Sequence, residues 1–181
     1  EHLSYWSLRP LEVLAESVGL KVIDVRMYAD IHGGTMRYTL TPGDKRTKVA
    51  SSVTGLRILE SAHFKEGLKP YQEFAQKVHG TFLKLHQALD SQTMGGKRIW
   101  GYGANAKGAV LLQAAGITEL EMERIVDDTE AKWGHRMPGV HIPITSAVDL
   151  SEPDVLMLLS WNNAPDLKAK ARERGFRGRF L

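Results

Sequence analysis

Arg98-Ile-Trp-Gly-Tyr-Gly-Ala-Asn-Ala-Lys-Gly108 is the stretch that decides the fold of this 181-residue chain. An apolar run ends in Gly101-x-Gly103-x-x-Ala106 and passes directly into helix-forming residues, which is how a strand, a tight turn and a helix are written. The first glycine permits the turn, and the second lets backbone approach a ligand. A small third residue lets the helix pack closely on the strand, with N–H groups left for an anion. Asn105 opens the expected helix, and Lys107 adds a positive charge beside it. Such a turn serves phosphate binding or architecture alone, and the motif does not choose between them. A Walker loop is excluded, because Ala109 follows Gly108 where Lys and a hydroxyl residue would stand.

Downstream the pattern alternates. Strands are expected at residues 98–102, 124–126, 141–144 and 155–159, helices at 105–115 and 164–174, and an added edge strand within 176–181, which together imply a parallel, helix-covered sheet. Asp127 and Asp128 close the second of these strands, near where a Rossmann domain places an acid for a ribose hydroxyl; an acidic pair capping a strand end reads equally well. Around two prolines, His135, Arg136 and His141 suit a phosphate or a sugar. No carboxylate stands at helical spacing to complete a metal site there. Ser160-Trp-Asn-Asn163 follows the last buried strand, so Trp161 faces either the ligand crevice or another domain.

Upstream, residues 1–43 read as a helix and a hairpin. Ser7 is the expected N-cap, Leu11, Leu14 and Val18 share a face, and Gly19 ends the helix. In the strand at 21–28, Val22, Asp24 and Arg26 alternate with Ile23, Val25 and Met27, and a second strand follows at 35–41. So small a unit buries little surface, so it is expected to close a sheet whose earlier strands lie elsewhere. Residues 44–68 read as polar, and 71–89 as a long amphipathic helix carrying Phe74, Val78, Phe82, Leu85 and Leu89, with a breaker at 91–96. Glu1, His2 and Tyr5 bring together an acid, a base and a phenol. They form either an exposed terminus or a site, the latter only if the backbone turns there. His32-Gly33-Gly34 admits a ligand or simply turns a hairpin.

Composition narrows the classes. A hydrophobic content of 43% supports globular cores, and 24 basic against 21 acidic residues leave a net charge of +3 without a basic stripe, so no nucleic-acid partner is expected. No apolar run approaches membrane-spanning length. With no cysteine there are no disulfides or thiolate metal sites, which fits a cytoplasmic protein. The chain begins Glu1-His2-Leu3 without methionine and is expected to be part of something longer.

With these residues in view, the chain resembles the C-terminal part of the bacterial sugar C-methyltransferases, S-adenosylmethionine-dependent enzymes that methylate carbon 3 of nucleotide-linked 4-keto-deoxysugars. Four stretches carry the likeness: Glu1-His-Leu-Ser-Tyr-Trp-Ser7, His32-Gly-Gly-Thr-Met-Arg37, Gly101-Tyr-Gly-Ala-Asn-Ala-Lys-Gly108 and Pro138-Gly-Val-His-Ile-Pro143. The resemblance implies an α/β protein. A Rossmann-like parallel-sheet domain at 97–181 would be preceded by the last helix and β-hairpin of a methyltransferase core at 1–43, and by a linker with a long connecting helix at 44–96. S-adenosylmethionine would be bound mainly by the rest of the core, and zinc only by an N-terminal domain outside this chain. His2 would remove the C3 proton, Glu1 would support it, and Tyr5 would share the pocket. Substrate contacts are expected from His32, Gly33, Gly34, Arg37, Gly101, Gly103, Asn105, Lys107, Asp127, His141 and Trp161. The partners implied are a nucleotide sugar, a dTDP-sugar by preference, and the remainder of the methyltransferase. Two other classes stay open: a nucleotide- or NAD(P)-binding module without methyl transfer, and a scaffold domain built on the long helix.

Overall fold

A computed structural model describes residues 4–31 and 34–181. The chain divides into two compact units, one ending at Ala75 and one running Gln76–Leu181.

In the first unit, α1 (Leu8–Ser17) leads into an antiparallel hairpin of β1 (Leu20–Tyr28) and β2 (Thr35–Pro42), followed by α2 (Ser51–His63). The α2 helix is a correction, since residues 44–68 were expected to be polar and without an element. Its Val53 and Leu56 join Leu8, Leu11, Val22, Val25 and Tyr38 in one apolar cluster. Strict alternation would put Val22 and Val25 on opposite faces. The register shifts between Val22 and Asp24, and a bulge adding one residue turns both toward the cluster. Ser7 occupies the N-cap position of α1 without a side-chain cap bond. Glu60 on α2 accepts the Leu8 N–H at 2.7 Å and the Arg9 N–H at 3.3 Å instead, so a carboxylate sits at the positive end of the helix.

The long helix α3 (Lys69–Met94) exceeds the expected 71–89 at both ends. Within the second unit come β3 (Ile99–Tyr102), α4 (Ala106–Ala115), β4 (Arg124–Asp127), β5 (Ile144–Ser146), β6 (Val155–Leu158), α5 (Ala164–Glu173) and β7 (Arg179–Phe180). The strands form one parallel sheet in the order β5-β4-β3-β6-β7. Both faces are covered, which is why the strands read as apolar runs. Ile99, Ile125, Val155 and Met157 face one core with Leu112 of α4 and Leu89 of α3. Trp100, Tyr102, Val126, Leu156 and Leu158 face the other with Leu167 and Ala171 of α5. The strand expected at 141–144 begins only at Ile144. Residues 137–142 form a turn in which Met137 N–H donates to Ile142 O at 2.8 Å and His141 N–H to Met137 O at 3.0 Å. The domain is therefore α/β and Rossmann-like, as the sequence implied.

Candidate functional site

Strand order reverses at β3. From it β4 and β5 lie to one side, β6 and β7 to the other, and the carboxyl ends of β3 and β6 border the crevice where ligands of such sheets collect. Here that crevice is spanned by protein. The Asn105 side-chain amide donates to Ser160 Oγ at 2.6 Å and to Leu159 O at 3.3 Å, while its Oδ1 accepts the Gly108 N–H at 2.6 Å and caps α4. Gly103 adopts φ +98°, and a Cβ there would collide with Ser160 Oγ. Gly101, inside β3, would bring a Cβ to 2.9 Å from Met122 Sδ and 3.0 Å from both Ile125 and Leu159. Packing within the domain thus accounts for both glycines.

Asp127 is 6% exposed and committed to protein donors. Its Oδ2 accepts Ala104 N–H at 2.7 Å and Lys132 Nζ at 3.1 Å, and its Oδ1 accepts Thr129 N–H at 2.8 Å. Lys132 also donates to Ala104 O at 2.8 Å, so the ion pair holds both backbone groups of Ala104, the residue after the turn glycine. Burial opposes ionisation of Asp127. The hydrogen bonds from Thr129, Lys132 and Ala104 outweigh it and hold the carboxyl below its ordinary pKa. Lys132 was not anticipated, because its reach to Asp127 depends on the short 3₁₀ turn Glu130–Lys132.

Asp128 serves a different cluster. Tyr102 Oη donates to it at 3.0 Å, Lys170 Nζ at 2.9 Å, and Arg174 Nη1 also bonds it while approaching Tyr102 Oη at 2.8 Å. Burial raises the carboxyl, but the bonds from Arg174, Lys170 and Tyr102 prevail and bring it to about 2. Burial, aided by a hydrogen bond to the Asp128 carboxylate, moves the Tyr102 phenol well above its usual value. Nothing in the sequence spacing linked Tyr102 with Arg174.

A cleft of about 390 Å³ lies along the start of α4. It is lined by Ala104, Ala106, Ala109, Ala131 and Lys132, Met137 and Ile144 add apolar surface, and His135 and Arg136 also line it. Arg136 Nη1 donates to His141 O at 2.6 Å. His141 itself is exposed and adopts φ +58°, the one positive φ of a non-glycine among the described residues, and it does not line the cleft.

The remaining expected residues are dispersed. Lys107 is exposed on the first turn of α4, outside the lining of the cleft. Trp161 is 45% exposed in a 3₁₀ turn after β6. In the first unit, Gly34 has φ +124° and bonds Ile31 O at 2.9 Å, Arg37 lies on exposed β2 with its guanidinium 5.2 Å from the Tyr28 ring centre, and Tyr5 is 87% exposed. Glu1, His2, His32 and Gly33 lie outside the described residues. Among those described, no group of three or more His, Cys, Asp and Glu is placed to hold a metal ion, and no helix is long and apolar enough to cross a membrane.

Comparison with known proteins adds the lineage. The C-methyltransferase NovU of Streptomyces niveus is 34% identical over 175 residues, which cover 96% of this chain and 41% of that protein. The chain thus spans about two fifths of the length of this curated relative. Residues 30–181 match the family model described as the C-methyltransferase C-terminal domain. Sheet, glycine turn and sequence likeness agree, and the chain belongs to the C-methyltransferase C-terminal domain family.

Proposed function

We propose that this chain is the substrate-side part of a C-methyltransferase acting on a nucleotide-linked 4-keto-deoxysugar, with His2 as the base that removes the C3 proton. The observation that carries the reading is the likeness to the C-methyltransferase NovU along 96% of the chain, combined with the family match over residues 30–181. A proton beside a ketone is acidified by the enolate it leaves behind, so the step asks for a base whose pKa lies near neutrality; histidine meets that requirement. His2 takes the proton, and Glu1 orients the imidazole. The C3–H electron pair becomes the enolate and then the new carbon–carbon bond. When bound in the whole enzyme, S-adenosylmethionine supplies the electrophilic methyl group.

The described residues offer that cofactor no ribose-binding acid at the glycine turn, since Asp127 is bonded to Ala104, Thr129 and Lys132 and the crevice is spanned by Asn105 and Ser160. The same geometry weakens the alternative of an NAD(P)-binding module, whose adenine ribose would need a free acid there. The contribution of this chain is accordingly base catalysis and substrate binding.

The test uses the full-length enzyme. Exchange of the C3 proton with deuterium oxide, measured by NMR without the methyl donor, is expected to fall roughly 100-fold or more in His2→Ala, while the Kd of the sugar nucleotide changes less than threefold. Unchanged exchange would remove His2 as the base.

A further inference from the structure

We infer that the open edge of β7, with the basic face of α5 beside it, receives an extended acidic segment of a partner protein as an added strand. The first support is the distribution of charge. Six basic residues stand against two acidic ones in Ala164–Leu181, so the rest of this +3 chain carries no positive excess. Elsewhere in the second unit, cations such as Lys97, Arg98, Arg124 and Arg136 pair with carboxylates. Lys168, Arg172, Arg177 and Arg179 are exposed, and none has a carboxylate partner among the described residues.

These charges are held in place. Arg172 donates to Phe176 O at 2.9 Å and to Gly178 O at 3.1 Å, and Arg177 donates to Arg172 O at 2.9 Å. Lys168 and Arg172, one helical turn apart, both lie over the Phe180 ring, with Nζ and Cζ 5.6 and 4.7 Å from its centre. Like charges at that spacing repel, and a carboxylate placed between them converts the repulsion into two charge-assisted bonds.

The sheet supplies the second support, because its two edges differ. On the β5 side, Gly134 N–H donates to Ile144 O at 3.0 Å and Ile144 N–H to His135 O at 2.9 Å, so the chain itself closes that edge. On the other side β7 ends the strand order. Arg179 and Leu181 donate inward, to Asp154 O at 2.9 Å and Leu156 O at 3.1 Å, so the N–H and C=O of Phe180 between them point outward. A strand added there lies about 4.8 Å beyond β7, within reach of Lys168 and Arg172. Other occupants fit less well. Phe176 is buried and the Phe180 ring is occupied by Lys168 and Arg172, which leaves no aromatic face for base stacking and no wedge for a membrane. A second copy would set Arg177 and Arg179 against their own kind. Basic side chains on a short edge deter indiscriminate pairing, and the same charges select an acidic strand.

Fluorescence anisotropy of the 181-residue chain with a labelled octapeptide of alternating Glu and Val tests the assignment. That peptide is expected to bind, whereas its counterpart with Lys in place of Glu, and the acidic peptide N-methylated on alternate amides, should bind about tenfold or more weakly. Replacing Lys168→Glu together with Arg179→Glu should raise the Kd about tenfold or more with Tm nearly unchanged, and Lys168→Ala with Arg179→Ala serves if the reversal fails to fold. On binding, the Phe180 amide should gain protection from hydrogen exchange, measured by NMR. Absence of binding by the wild type, or a change below about threefold on substitution or on N-methylation, overturns the assignment. Tighter binding of a single-stranded oligonucleotide or of phosphatidylserine vesicles overturns it as well, as does self-association that the same substitutions abolish. None of these results depends on the proton-exchange assay on His2.

Discussion

Gly103 and Asp128 show how much a single position settles in this domain. Gly103 combines a left-handed backbone with direct contact to Ser160, so Gly103→Ala is expected to cost about 2–3 kcal/mol in urea unfolding. In a Ser160→Gly background the same change should cost at least about 1 kcal/mol less, because the collision is gone and only the backbone strain remains; strict additivity would refute the steric account. Asp128 acts through charge. Its folded pKa is depressed to about 2 from an ordinary 3.8, so its stabilisation is fully present above the unfolded value and is lost as pH falls toward 2. The carboxylate is 32% exposed, and with screening the effect is expected at about 1–2 kcal/mol. Wild type and Asp128→Asn should therefore differ most near neutrality and converge only as the pH falls through about 2 in denaturant titrations. The acidic pair was legible at the end of its strand. Its partners were not, because Lys132 reaches Asp127 through a 3₁₀ turn and Arg174 reaches Asp128 across 46 positions.

Among the elements, those governed by local rules were readable. The glycine turn with its following helix and the apolar runs of β3, β4 and β6 follow from periodicity and turn chemistry. The α2 helix escaped because it carries two apolar stripes: Val53 and Leu56 face the cluster, whereas Ile58 and Leu59 are exposed, so no single face announces a helix. The bulge in β1 escaped because one extra residue breaks alternation only once pairing is fixed. The late start of β5 has a similar origin, for His141-Ile-Pro-Ile144 alternates like a strand, but backbone hydrogen bonds of His141 and Ile142 to Met137 draw its first residues into a turn. That turn invites a test. At φ +58°, His141→Gly should stabilise the domain by about 0.5–1 kcal/mol in thermal unfolding, and a loss of stability would show that the imidazole supports the fold. The same variant measures the ligand role expected of His141: unaltered dTDP affinity would confine the residue to the turn. The cleft itself had no sequence signature, since alanines separated by up to 27 positions meet there only after α4 and the 3₁₀ turn have formed.

At the scale of the molecule, the two units differ in how their cores are assembled. Residues up to Ala75 build theirs around one hairpin and two helices, whereas Gln76–Leu181 builds its core from parallel strands that need crossovers. The central position of β3 carries a consequence for biosynthesis. As the chain leaves the ribosome, β4 becomes available first, but the other flank of β3 waits for residues 155–158. At roughly 5–20 residues per second that interval is several seconds, during which an apolar strand edge stands open to any passing partner. The nascent protein is thus most vulnerable to misassembly while its sheet is half made, and the apolar tetrapeptide Val155-Leu-Met-Leu158 ends that exposure.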